Sequence, residues 1–109
     1  MIIVIMNEKA LHDITYGLYL IGSRSGERDG ACISNTVIQA ANSPNRIAVS
    51  LNKSNYTTEL ILDGGQFSVS IISQSAPFEL FKRFGFQSGR TVDKFASCEP
   101  FRSDNGLVF

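Results

Sequence analysis

The sequence predicts a mainly β domain with short helices, built as a small barrel and not as a doubly wound sheet. Three observations point there. Short apolar runs with strand character recur between breaks rich in glycine, asparagine and proline. The runs fall into two antiparallel-looking pairs, and the helical stretches between them are short connections. No internal repeat or low-complexity tract competes with this reading.

Ala10, Leu11 and Ile14 follow Glu8 at helical spacing, which predicts an amphipathic helix over residues 7–14. Residues 16–21 are aromatic and aliphatic and form the first predicted strand. A polar turn over residues 25–30, with Gly26 and Gly30, leads to the second strand, residues 31–39. That strand is unusual because Ser34, Asn35 and Thr36 interrupt its apolar residues; such a run either bulges or faces something polar. A break at residues 42–45 precedes an alternating third strand, residues 46–51. Ser54 is expected to cap a helix running toward Leu62, with Gly64 and Gly65 ending it. Residues 67–71 alternate as a fourth strand. Pro77 opens the last helix, Phe78, Phe81 and Phe84 line one side of it as core, and Gly85 stops it. From Gln87 onward the chain reads as loop, and after Ala96 as a polar, irregular tail.

At 109 residues the chain suffices for one domain with one modest core. Its 43% hydrophobic and 18% charged content is that of a globular protein. Ten basic and ten acidic residues cancel, which argues against nucleic acid as the main partner. Any anion must therefore be held locally. Cys32 and Cys98 are too far apart in sequence for a metal knuckle or a redox pair, so a reducing cytoplasm is the default setting. Residues 1–6 are apolar but too short for a signal or a membrane span; they read as an N-terminal extension, with Met6 a plausible second start. His12 is the single histidine and reads as a surface or packing residue, so no metal site is expected. Cys32 reads as a buried, inert thiol.

Three polar clusters could carry chemistry. In Asn52-Lys53-Ser54-Asn55-Tyr56-Thr57, a helix N-terminus offers unpaired N–H groups, Lys53 a full charge, and Ser54 and Thr57 hydroxyl donors, a set suited to phosphate. The same stretch also reads as a plain helix cap. In Ser88-Gly89-Arg90, glycine allows close backbone approach and arginine a two-pronged grip on phosphate oxygens; alone, it reads first as a surface turn with a solvated arginine. Ser34, Asn35 and Thr36, with Gln39 downstream, supply the amides and hydroxyls that a ring edge of carbonyls and an N–H wants, or else satisfy a local bulge.

The order of these blocks resembles the flavin reductase-like, FMN-binding split-barrel family, especially flavoredoxins and the flavin domain that precedes rubredoxin in some proteins of anaerobes. The resemblance runs from Lys9 to Phe95. It is carried by Tyr16-Gly17-Leu18-Tyr19, Cys32-Ile33-Ser34-Asn35-Thr36, Val49-Ser50-Leu51-Asn52-Lys53, Arg83-Phe84-Gly85-Phe86 and Val92-Asp93-Lys94-Phe95. It implies a Greek-key-like split β-barrel. Ser34, Asn35, Thr36 and Gln39 would lie along the isoalloxazine and ribityl of FMN. Lys53, Ser54, Asn55 and Thr57 would hold the phosphate, joined by Ser88 and Arg90.

The resemblance further implies a homodimer and an FMN-dependent oxidoreductase that relays electrons from NAD(P)H or a redox protein to a rubredoxin-like acceptor or free flavin. Family domains continue into further strands, so a single domain over residues 1–109, truncated at its C-terminal end, is the expectation. Two other functions stay open: a non-catalytic flavin-binding electron-transfer module, and a structural remnant of the barrel.

Overall fold

A computed structural model of the chain describes residues 7–14, 16–96 and 99–109. The expectations for residues 1–6, for Cys98 and for the His12 side chain lie outside the described residues. Residues Glu8–Asp13 form a 3-10 helix and not the expected α-helix. Asn7 sets this up: its side-chain oxygen accepts from the Lys9 N–H at 3.1 Å, and its carbonyl accepts from the Ala10 N–H at 2.9 Å. That three-residue spacing winds the turn too tightly for an α-helix.

Strands β1 (Tyr19–Ser25) and β2 (Arg28–Ser34) pair antiparallel around Gly26-Glu27. Both reach further into polar sequence than expected. Gly26 adopts φ +60°, which lets the turn close in two residues. The polar residues then find partners within the sheet region. Ser23 donates to the Gln66 carbonyl at 2.8 Å, Arg24 pairs across the strands with Asp29 at 2.9 Å, and Ser25 donates to the Asp63 carboxylate. Strand β5 (Ser68–Ile71) joins the far edge of β1, giving the antiparallel order β2-β1-β5.

The expected second strand is two strands in two sheets. The Ser34 hydroxyl donates to the Ser50 carbonyl and accepts from the Thr36 N–H at 3.2 Å, ending β2 in a local turn. The chain then enters β3 (Val37–Asn42), which pairs with β4 (Asn45–Val49) as a separate antiparallel ribbon. A bulge does occur, but at Gln39/Ala41 and not at Ser34-Asn35-Thr36.

Helix α1 (Tyr56–Gly64) covers β1 and β2. Leu60 is wholly buried, and a Cβ on Gly30 would come within 2.6 Å of its methyl. Asn55, not Ser54, is the N-cap: its side-chain oxygen accepts from the Thr57 N–H at 2.8 Å. Asn52 captures Ser54 first, accepting from its N–H at 3.0 Å and its hydroxyl at 2.8 Å. Gly65, at φ +73°, donates to the Ile61 carbonyl and stops the helix.

Helix α2 (Phe78–Gly85) buries Phe84 against the Phe95 ring, with centroids 5.4 Å apart. The expectation that all three phenylalanines are core is corrected: Phe78 is 61% exposed and Phe81 half-buried. The tail is also less irregular than expected. Arg102 and Val108 form an antiparallel bridge, and Leu107 and Val108 are buried. Gly22 makes this possible, since a Cβ there would sit 2.7 Å from the Val108 carbonyl.

Candidate functional site

The turn that separates the two sheets opens a cleft. Its volume is about 690 Å³, within the ~300–1,000 Å³ range of small-molecule sites. Ser34, Asn35, Asn52 and Asn55 give it hydroxyls and amides; Ile33, Phe78, Phe81 and Phe86 give it apolar surface. A second cleft of about 310 Å³ adjoins it through Ile33, Asn55, Gly85 and Phe86. Ser54, Gln87 and Ser88 line this smaller space, with Cys32 and Lys94 beside them. An amphipathic cleft beside a hydroxyl- and amide-lined recess suits a flat ring carrying a polar tail.

The backbone geometry behind these side chains is local. Asn52 holds Ser54 through two hydrogen bonds, while its carbonyl accepts from the Asn55 N–H and from the Thr58 hydroxyl at 2.9 Å. The Asn55 amide is fixed by capping α1. The Thr36 hydroxyl donates to the Asn35 side-chain oxygen at 2.9 Å, which orients that amide at the cleft edge. Ser88 is held by its own loop, its hydroxyl accepting from the Arg90 N–H at 3.2 Å.

Of the residues singled out in the sequence, Ser34, Asn35, Ser54, Asn55 and Ser88 line these two clefts, and Thr36 supports one of them. The others lie elsewhere. Gln39 is exposed on the ribbon, and Lys53 is exposed at the turn without lining either cleft. Thr57 is buried inside, at 1% exposure. Arg90 lines a third cleft of about 430 Å³ and pairs there with Glu59 at 2.6 Å.

Sequence reasoning missed Asn52, Lys94 and the aromatic wall. An asparagine two residues before a helix cap is a turn signal that could have marked Asn52. Lys94, between Asp93 and Phe95, is buried. Its ammonium donates to the Ala31 carbonyl at 2.8 Å and the Phe84 carbonyl at 3.0 Å, tying β2 to the end of α2. Burial pushes its pKa down, partly opposed by the nearby Cys32. Cys32 is a free, buried thiol. Burial pushes its pKa up, against smaller opposing effects of the Thr57 hydroxyl, the Lys94 charge and Asn55. That environment is the inert one expected from the sequence.

The sequence pattern that defines the flavin reductase like domain matches residues 11–109. The chain belongs to this family. The high molecular weight rubredoxin of Moorella thermoacetica is 44% identical over 95% of this chain and 45% of its own length. The ferric-chelate reductase (NAD(P)H) of Archaeoglobus fulgidus is 39% identical over 94% of this chain and 60% of its own.

A solved FMN-binding protein from Thermus thermophilus superposes with a TM-score of 0.78 at 26% identity, covering 86% of this chain and 53% of that one. The two sheets described above therefore have the fold of the FMN-binding, flavin reductase-like barrels. This member of the family spans about half the length of the relatives it matches. Among its described residues, no helix is long and apolar enough to cross a membrane, and no cluster of histidine, cysteine or carboxylate residues could hold a metal.

Proposed function

We propose that this flavin reductase-like domain binds FMN in the paired clefts and serves an oxidoreductase. The observation that carries the reading is the adjacency of the two spaces, which share Ile33, Asn55, Gly85 and Phe86 as lining, one aromatic-walled with amides and the other lined by Ser54 and Ser88. Ser34, Asn35 and Asn55 would meet the polar edge of the ring, with Thr36 orienting Asn35. Phe78, Phe81 and Phe86 would shield its apolar body from water. Ser54, Asn55 and Ser88 would hold the phosphate near the start of α1, whose N–H groups favour an anion. Lys53, Thr57, Gln39 and Arg90 would need side-chain movement to reach it. When bound, FMN supplies the redox chemistry, and the chain supplies position, a partly dry pocket and hydrogen-bond donors.

The electron donor we assign is NAD(P)H or a redox protein, on the name of the Archaeoglobus relative. The acceptor we assign is rubredoxin-like or free flavin, on the name of the Moorella relative. The free, buried Cys32 thiol suits a reducing cytoplasm. A homodimer is the assembly we infer. The ribbon exposes Ile38 at 60% and Ile47 at 50%, and a two-stranded ribbon alone in water is marginal.

The test is titration with FMN, followed by absorbance and flavin fluorescence, on the chain and on Ser34→Ala and Ser88→Ala. Saturable binding weakened by both substitutions is expected. A colourless chain that ignores FMN would leave the barrel remnant as the correct reading. Rapid mixing with NADH or NADPH then separates the enzyme from the carrier: bleaching of the bound flavin marks a reductase, and no bleaching a carrier.

A further inference from the structure

We infer that Glu59 is a positioning residue that parks Arg90 away from the phosphate recess and so lowers the preference of the site for a phosphorylated flavin. This rests on the FMN reading above. Arg90 is only two residues from Ser88, which lines the recess, yet its own side chain lines the neighbouring cleft. Two contacts hold it there. Its guanidinium meets the Glu59 carboxylate at 2.6 Å and lies over the Tyr56 ring, 5.5 Å from the centroid.

The loop backbone is held close by Gly89, where a Cβ would come within 2.5 Å of the Tyr56 ring. The loop therefore stays against α1 while the arginine side chain chooses its anion. Both partners of the pair are 47% exposed, so their attraction is weak and easily exchanged. A phosphate offers the same guanidinium a two-pronged, charge-assisted grip that is stronger than an exposed carboxylate pair. Glu59 and a bound phosphate thus compete for one cation, and removing the competitor releases Arg90 to the ligand.

The experiment measures dissociation constants for FMN and for riboflavin, which lacks the phosphate. It uses the chain itself, Glu59→Gln, Arg90→Ala and the double variant. Glu59→Gln should bind FMN about two- to five-fold more tightly, the range an exposed ion pair can supply, and leave riboflavin unchanged. In the Arg90→Ala background the same substitution should change neither constant, because the effect runs through Arg90.

Three results overturn the inference: no gain in FMN affinity, a loss of it, or an equal gain without Arg90, which would mark a bare charge effect. If the unsubstituted chain binds neither flavin, the FMN reading fails and this inference falls with it. If it binds FMN but Glu59→Gln does nothing, this inference fails alone.

Discussion

In the three-stranded sheet, β1 buries Ile21, Gly22 and Ser23 in succession, with Leu60 of α1 and Val108 of the tail among the residues that cover it. In the ribbon, β3 and β4 bury no residue fully, and Ile38 and Ile47 are half exposed or more. The radius of gyration reflects the contrast: 15.6 Å, against about 13 Å for a compact domain near this size. The buried sheet carries poor strand formers, Gly22, Asp29 and Gly30 among them, so propensity does not set burial. The difference is that one sheet has a helix and a tail laid on it, while the other has only its own two strands. The cleft lies beside the end of β2, bounded by Ile33 and Ser34 of the first sheet, by the segments that lead to and from the ribbon, and by Phe78 and Phe81 of α2.

The largest test of that contrast is Leu60→Ala. A fully buried leucine packed against Gly30 should cost about 3 kcal/mol in denaturant unfolding. Ile47→Ala in the ribbon should cost less than about 0.5 kcal/mol in the dissociated chain. If homodimerisation covers the ribbon, the same substitution should instead shift sedimentation toward monomer. Comparable losses from both substitutions in the monomer would mean the ribbon is packed in solution.

A smaller test concerns the first turn of α1. Asn55→Ala removes the cap and should cost about 1 kcal/mol of stability, whereas Ser54→Ala should stay within about 0.5 kcal/mol. Equal effects would return the cap to Ser54.

The sequence made β4, β5 and the covering helix legible, because alternation and glycine breaks are local signals; β3 was not, since residues 37–39 read as a continuation of the strand before them. Its polar strand ends were not legible. Ser23, Arg24 and Ser25 look like turn residues until Gln66, Asp29 and Asp63 are brought beside them by the fold. The cap was misplaced for a related reason: Asn52 and Asn55 compete for the same turn, and only geometry shows that Asn52 takes Ser54. Half of the candidate site was visible as short polar side chains. Its aromatic wall was not, since Phe78 and Phe81 have the spacing of core residues. Lys94 was hidden too, because nothing in sequence says that a lysine will reach two main-chain carbonyls.

An effect of the same size as the loss of the cap, and one that pH should erase, concerns what fastens the tail to the buried sheet. Arg102 grips Asp29 through two nitrogens, at 3.0 and 2.7 Å, and also donates to the Gly106 carbonyl. No ion pair among the described residues fastens β3 or β4 in this way. The hydrogen bond from Arg102 is the main cause that holds the Asp29 carboxyl below the usual range. Burial opposes it, while the charges of Arg102 and Arg24 add to it. Because the folded pKa is the lower one, the stabilisation is fully present above about pH 4, the unfolded value. It is lost as pH falls through the folded value. Asp29→Asn should therefore lower stability by roughly 1 kcal/mol near neutrality, with Arg102 itself largely exposed and screened. The gap between the two proteins should close progressively below about pH 4 in urea unfolding. A gap that persists unchanged at low pH would show that Asp29 acts through its packing, and that the tail is held to the sheet by the buried Val108 and Leu107 and by the Ser68 hydroxyl on the Val108 carbonyl.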